Sequence, residues 1–258
     1  MIRVTDTHAH YDDKAFDDDR YRLLDRLFER SVEKIVSVGC AYDRWKTTLQ
    51  LAECYNFIFA AMGIHPGDIY DLPEDYLQQL EKLAGHPKVK AIGEIGLDYH
   101  YESYDKELQI KVFREQLQLA NNLSMPVIIH SRDATADTLE ILRDLRPEKA
   151  VMHCFSGSPE VAREVLSMGM YISFTGVITF KNAQRAVEAC QEVPLDRLML
   201  ETDCPYMAPE PNRGERCDSS MIHYTAEKIA EIKGLPVEEI ITVCNENAER
   251  FFDMGSTT

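Results

Sequence analysis

Residues 126–154 read Pro-Val-Ile-Ile-His-Ser-Arg-Asp-Ala-Thr-Ala-Asp-Thr-Leu-Glu-Ile-Leu-Arg-Asp-Leu-Arg-Pro-Glu-Lys-Ala-Val-Met-His-Cys. Two apolar runs, Val127–His130 and Ala150–His153, enclose an amphipathic segment, Ala136–Leu145. Such runs suit parallel strands buried on both faces, and the segment between them suits a crossover helix. Each run ends on a histidine.

Outward from this unit the pattern repeats. Strand candidates are Ile2–Thr7, Lys34–Val38, Phe57–Met62, Val89–Glu94, Tyr171–Phe174 and Arg197–Thr202. Helical patterns fall at Tyr21–Arg30, Arg44–Cys54, Tyr76–Leu83, Lys106–Asn122, Glu160–Leu166 and Asn182–Cys190, and two more, Ser220–Ile232 and Val237–Phe252, follow the last strand. Ser158-Pro159 and Pro236 read as helix starts. Eight strands, each followed by a helix, is the count of a (β/α)8 TIM barrel. A doubly wound open sheet has the same local pattern, because strand count does not show closure. No linker, repeat or low-complexity tract interrupts residues 1–258, so a single domain is expected.

The chain of 258 residues is 45% hydrophobic, enough for a substantial core. Its longest apolar run, Phe57 to Ile64, is far below the ~20 residues of a membrane span. The opening Met-Ile-Arg-Val-Thr-Asp lacks the features of a signal peptide, and the seven cysteines have no zinc-finger spacing. A cytoplasmic protein with reduced thiols, no membrane and no obligate protein partner is the expectation. Net charge is −16, from 28 basic and 44 acidic residues, which argues against a protein that coats nucleic acid. Chemistry on phosphodiesters stays open, provided bound cations supply the attraction locally.

The informative residues lie where the strands end. His8 and His10 stand in Asp-Thr-His-Ala-His, on one face of an extended segment, with Asp6 one step deeper. Glu94 closes the fourth strand, His130 the fifth and His153 the sixth, and Asp203 follows the eighth. In a barrel these six share the rim where catalytic groups gather. Four imidazoles and two carboxylates exceed one tetrahedral ion and suit two divalent ions bridged by a carboxylate, Glu94. Two such ions acidify a shared water and neutralise charge on attacking and leaving oxygens, as phosphodiester hydrolysis requires. Asp203 is the expected proton acceptor. Glu201 either orients ligands or partners a buried basic residue, and Asp6 is an expected acceptor for a ligating imidazole. Lys90 lies ~13 Å below Glu94 along an extended strand, too deep for a bridging role.

Other positions read two ways. His65, in Gly-Ile-His-Pro, either touches substrate or packs its loop. Arg132 either neutralises a phosphate or forms a salt bridge with Asp133 or a helix carboxylate. Gly157-Ser158-Pro159 opens a helix whose amides suit an anion. Tyr99, Tyr101 and Tyr104 either stack on bases or pack on the surface of their loop. His86, His100 and His223 read as surface histidines, and Asp12, Asp13, Asp17, Asp18 and Asp19 as a solvated helix entrance.

Together, Asp-Thr-His-Ala-His, Gly-Ile-His-Pro, Gly-Glu-Ile-Gly-Leu-Asp-Tyr, Pro-Val-Ile-Ile-His-Ser-Arg-Asp-Ala, His-Cys-Phe-Ser-Gly, Glu-Thr-Asp-Cys-Pro and the late Asn-x-Glu-Asn-Ala-x-Arg-Phe-Phe resemble the TatD family of metal-dependent deoxyribonucleases. These motifs occur in family order between residues 5 and 252. The resemblance implies a (β/α)8 barrel, a dinuclear site of His8, His10, Glu94, His130, His153 and Asp203, and DNA as a transient substrate. It also implies support by magnesium or another divalent ion. One stretch departs: where the family commonly carries Arg-Gly-x-x-Asn-x-Pro, this chain has Arg213-Gly214-Glu215-Arg216-Cys217-Asp218-Ser219. Arg213 survives there as a second candidate for steadying a phosphate. Imidazole-rich ligation favours zinc, manganese or nickel over magnesium. The same ligands equally suit an amide or ester hydrolase, such as an aminoacyl deacylase, and a degenerate site would leave a metal-binding partner protein.

Overall fold

A computed structural model of the chain describes residues 2–101 and 103–255. Eight parallel strands pair in sequence order: β1 (Val4–Ala9), β2 (Val32–Gly39), β3 (Ile58–Met62), β4 (Val89–Asp98), β5 (Val127–Arg132), β6 (Ala150–Met152), β7 (Tyr171–Phe174) and β8 (Leu198–Leu200). The alternating helices are α1 (Arg20–Arg30), α2 (Trp45–Cys54), α3 (Tyr76–Ala84), α4 (Lys106–Leu123), α5 (Thr135–Leu145), α6 (Pro159–Ser167) and α7 (Gln184–Glu192). After β8 come α8 (Ile222–Lys233) and α9 (Val237–Phe252). This is a (β/α)8 TIM barrel. Ser158 caps α6 by accepting the Val161 amide, with Pro159 in the first turn where no amide partner is needed. Among the described residues no helix is long and apolar enough to cross a membrane.

β1 and β8 close the barrel mainly above the strands. Ala9 bridges Cys204, His10 N donates to Cys204 O at 2.7 Å, and Asp203 N donates to His8 O at 2.9 Å. Below them the Asp6 carboxylate takes the place of ladder bonds. It accepts the Thr202 amide at 3.0 Å, the Thr202 hydroxyl at 2.6 Å and the Ser219 hydroxyl at 2.6 Å. Burial drives the Asp6 carboxyl up to about 7 against these bonds. Asp6 is thus a clasp between the first and last strands. The expected bond from Asp6 to an imidazole is not made; its contact with His8 is to the backbone amide, at 3.3 Å.

Inside the barrel the strands carry a column of inward side chains that changes character with height. Val36, Val38, Phe59, Ala61, Ala91, Ile128, Val151 and Met199 form an apolar plug, sealed from below by Phe251, Phe252 and Met254. Two residues further along the same strands, and so ~6.6 Å higher, Ile128 gives way to His130, Val151 to His153 and Met199 to Glu201. The period-2 alternation of a strand therefore aims these polar groups into the mouth above a dry floor. Lys90 stays low, its Nζ 5.9 Å from the Phe59 ring centroid.

The strand ends differ from the sequence reading where polar residues continue the ladder. β1 runs on through His8 to Ala9, and β4 runs on to Asp98, which places Glu94 inside the strand. An irregularity in the β4–β5 register falls between Ile92 and Ile95, at Glu94; bulges of this kind re-aim a side chain. Gly96 (φ +153°) then passes His130 so closely that a Cβ would lie 1.9 Å from its carbonyl oxygen. Only glycine permits that approach.

Candidate metal centre

The rim gathers all six expected ligands. Glu94 stands between two imidazole pairs and divides its oxygens between them. Oε2 faces His8 Nε2 at 3.4 Å and His10 Nε2 at 3.8 Å. Oε1 faces His130 Nδ1 and His153 Nε2, each at 2.7 Å. Asp203 Oδ1 completes the first side, 3.2 Å from His10 Nε2 and 3.7 Å from His8 Nε2. The ligand atoms of His8, His10 and Glu94 lie within 4.8 Å of one another, as do those of Glu94, His130 and His153.

The donor chemistry fits cations. The His10 Nδ1–H donates to Val38 O at 2.9 Å, which leaves Nε2 as a lone pair directed at His8 Nε2, 3.1 Å away, and at Asp203. Lone pairs and carboxylates so close repel unless a proton or a metal ion lies among them. Burial alone would raise Glu94, but the imidazoles of His153 and His130 hold its carboxyl well below the usual range. Burial works against a charged His153, yet Glu94 and Glu201 hold its proton affinity well above the ordinary imidazole value. Protons and divalent ions therefore compete for the same nitrogens.

Carboxylates lie behind two of the imidazoles. Glu201 is buried and has no Lys or Arg partner among the described residues; it accepts the Cys154 amide at 2.6 Å and the Ser173 hydroxyl at 2.7 Å. Its Oε1 lies 3.4 Å from His153 Nδ1, an ion-pair distance without hydrogen-bond alignment. Glu201 thus lies against a buried imidazole, that of His153, an arrangement compatible with either alternative. Asp98 likewise lies against His130, with Oδ2 3.3 Å from Nε2, so that Nδ1 is left facing Glu94. The sequence reading missed Asp98, although it sits in the Gly-Leu-Asp that follows Glu94. The signal available was its parity: positions 94, 96 and 98 share one face of an extended strand.

His65 also faces this group, and its ligand atom lies within 4.8 Å of those of Asp98 and His130. Its Nδ1 accepts the Gly67 amide at 2.9 Å, so the proton resides on Nε2, 4.0 Å from Glu94 Oε1. Burial lowers its pKa to about 4, which keeps the ring neutral. His65 thus offers one N–H donor to the mouth of the site.

A family model described as TatD related DNase matches residues 5–253. The chain belongs to the TatD family. It is 46% identical over 251 residues to an uncharacterized metal-dependent hydrolase of Bacillus subtilis (YabD), covering 96% of this chain and 98% of that one. It is 37% identical to the uncharacterized metal-dependent hydrolase YcfH of Escherichia coli, covering 98% and 97%. The crystal structure of YjjV, a TatD homologue from E. coli, superposes with a TM-score of 0.91 at 31% identity over 97% of this chain and 98% of that one. The molecule is accordingly a metal-dependent hydrolase of the TatD type.

Around this TatD centre the peripheral residues take the following places. Asp12, grouped with a solvated acidic cluster, is buried, with Oδ1 unpartnered among the described residues. Asp19 instead forms a two-pronged pair with Arg216 at 2.8 Å. Arg132 does not pair with Asp133, whose Oδ2 meets His100 Nδ1 at 2.9 Å; His100 is exposed, as a surface histidine should be. His223 is half-buried in α8. Arg213 stacks 4.2 Å over Phe180 and makes no ion pair among the described residues. Tyr99 packs on Tyr104 at 4.7 Å, while Tyr101 remains exposed.

Asp98 provides a test of the orienting role. Asp98→Asn is expected to weaken metal binding or turnover by about 10–100-fold while the fold persists. Metal titration with circular dichroism checks this; an unchanged metal affinity together with unchanged turnover counts against it.

Proposed function

We propose that this chain hydrolyses phosphodiester bonds, with DNA as its substrate. The observation that carries the reading is the division of Glu94 between two imidazole pairs, with His8, His10 and Asp203 on one side and His130 and His153 on the other. Two divalent ions held there would neutralise oxygen charge and acidify a water toward neutrality. Asp203 uses Oδ1 within this group, while its Oδ2 makes no hydrogen bond among the described residues and is available to take the proton of an attacking water. The Nε2–H of His65 is placed to donate to a substrate oxygen. Arg132, unpaired on the same rim, supplies positive charge that this acidic chain lacks overall. The family description, TatD related DNase, supports the same substrate. The donor set favours zinc, manganese or nickel as the tightly held ion, with magnesium able to support turnover. A cytoplasmic location and no obligate protein partner complete the reading.

The test is a substrate profile of purified protein loaded in turn with manganese, zinc, nickel and magnesium. DNA oligonucleotides are expected to exceed aminoacyl esters and amides in kcat/KM by about two orders of magnitude or more, and a chelator is expected to abolish the activity. The reverse preference establishes the carbonyl hydrolase instead. Inertness toward every substrate with metal bound establishes a non-catalytic metal protein.

A further inference from the structure

Beside His153 the rim opens into a cleft of about 350 Å3 formed by the segments that follow β5 and β6. This is near the lower end of volumes that hold one small ligand. Two guanidinium groups line it, Arg132 from the end of β5 and Arg185 from the first turn of α7. Neither forms an ion pair among the described residues; Asp133, which also lines the cleft, meets His100 Nδ1 through Oδ2 at 2.9 Å instead.

Two unpaired arginines on one cleft are unexpected in a chain with 44 acidic residues against 28 basic ones. Arg185 is unfavourably placed for its own helix, because the positive end of the macrodipole disfavours a cation in the first turn. An anion bound in the cleft would offset the unfavourable placement of Arg185 against its helix dipole. The Arg132 guanidinium lies 5.6 Å from the Tyr101 ring centroid, a contact that restrains the long side chain at the mouth of the cleft. Ser156 and Gly157, which also line the cleft, lead into the N-terminal end of α6, a further partial positive charge. Guanidinium forks match phosphate oxygens two at a time.

We infer that this cleft binds a second phosphate of the substrate, neighbouring the one hydrolysed, between Arg132 and Arg185. The inference rests on the phosphodiester reading above and adds a requirement to it: the preferred substrate carries at least two phosphates. A simple diester fills the metal centre and leaves the cleft unused.

Calorimetric titration of the metal-loaded protein with thymidine 3′,5′-bisphosphate and with thymidine 5′-monophosphate tests this directly. The bisphosphate is expected to bind about tenfold tighter or more, and Arg185→Gln to erase that preference, with Arg185→Lys restoring part of it. In turnover, Arg185→Gln is expected to lower kcat/KM for a short single-stranded oligodeoxynucleotide about tenfold relative to bis(4-nitrophenyl) phosphate, chiefly through KM. The log–log salt dependence of that KM becomes shallower by about 0.7. Equal affinity of the wild-type protein for the two nucleotides, or a loss that is the same for both substrates, overturns the inference. Failure of the phosphodiester reading is distinct: the wild-type protein then leaves both diesters intact, and the two nucleotide affinities still decide what the cleft binds.

Discussion

Glu94→Gln is expected to yield a folded protein that no longer retains two metal ions and hydrolyses its substrate about a thousandfold more slowly. The carboxylate is the one group whose two oxygens face both imidazole pairs, at 2.7 Å on the His130 and His153 side and 3.4–3.8 Å on the His8 and His10 side. An amide of the same shape removes the negative charge and turns an N–H2 toward one pair, so that pair loses its anionic partner. A thousandfold loss corresponds to about 4 kcal/mol of transition-state stabilisation, the scale of metal-ion charge stabilisation. The barrel floor is expected to persist, because the apolar plug that forms it is built from other side chains. Metal content by elemental analysis and circular dichroism check the two halves of the result. Two tightly held ions in the variant, with turnover within tenfold of wild type, would remove Glu94 as the bridge.

Asp203→Asn separates binding from proton transfer. Asparagine keeps an oxygen where Oδ1 lies 3.2 Å from His10 Nε2, so at least one ion is expected to remain. Burial would raise the Asp203 carboxyl, but the His10 hydrogen bond and the nearby imidazoles hold it below its ordinary value. The wild-type group is therefore ionised at neutral pH, and its contribution is present above its pKa and lost as the pH falls through it. Removing the proton acceptor is expected to reduce kcat by about 10²–10⁴-fold with little change in KM. The acid limb due to Asp203 disappears from the pH profile of the variant, while protonation of the histidines persists. Normal kcat in a variant of intact fold would assign the proton to another group.

The strands of this barrel are readable because burial on both faces favours apolar, β-branched residues, and Val127–Ile129 contains nothing else. Their ends are less so. β4 continues to Asp98 and β1 to Ala9, since hydrogen-bonded polar residues extend a ladder as well as apolar ones do. Asp12 shows the converse error: five aspartates in one short stretch read as a solvated face, yet the turn after His10 carries one of them inward. For the site, residue type and strand parity pointed to the six side chains that meet at the rim. The work of Asp6 depended on the approach of Thr202 and Ser219, 196 and 213 residues away in the chain. No local pattern encodes that meeting.

Chemical identity and strand periodicity are local properties, which is why the alternation of elements, the apolar floor and the choice of ligand types could be read along the chain. Pairing across the closed sheet is not local. Which oxygen of Glu94 faces which histidines, which carboxylate fixes His130, and whether Arg132 and Arg185 share one cleft all depend on the curvature that brings separate strands and loops to a common rim. Side-chain orientation at that rim follows from contacts between residues far apart in sequence, and those contacts exist only once the barrel has closed.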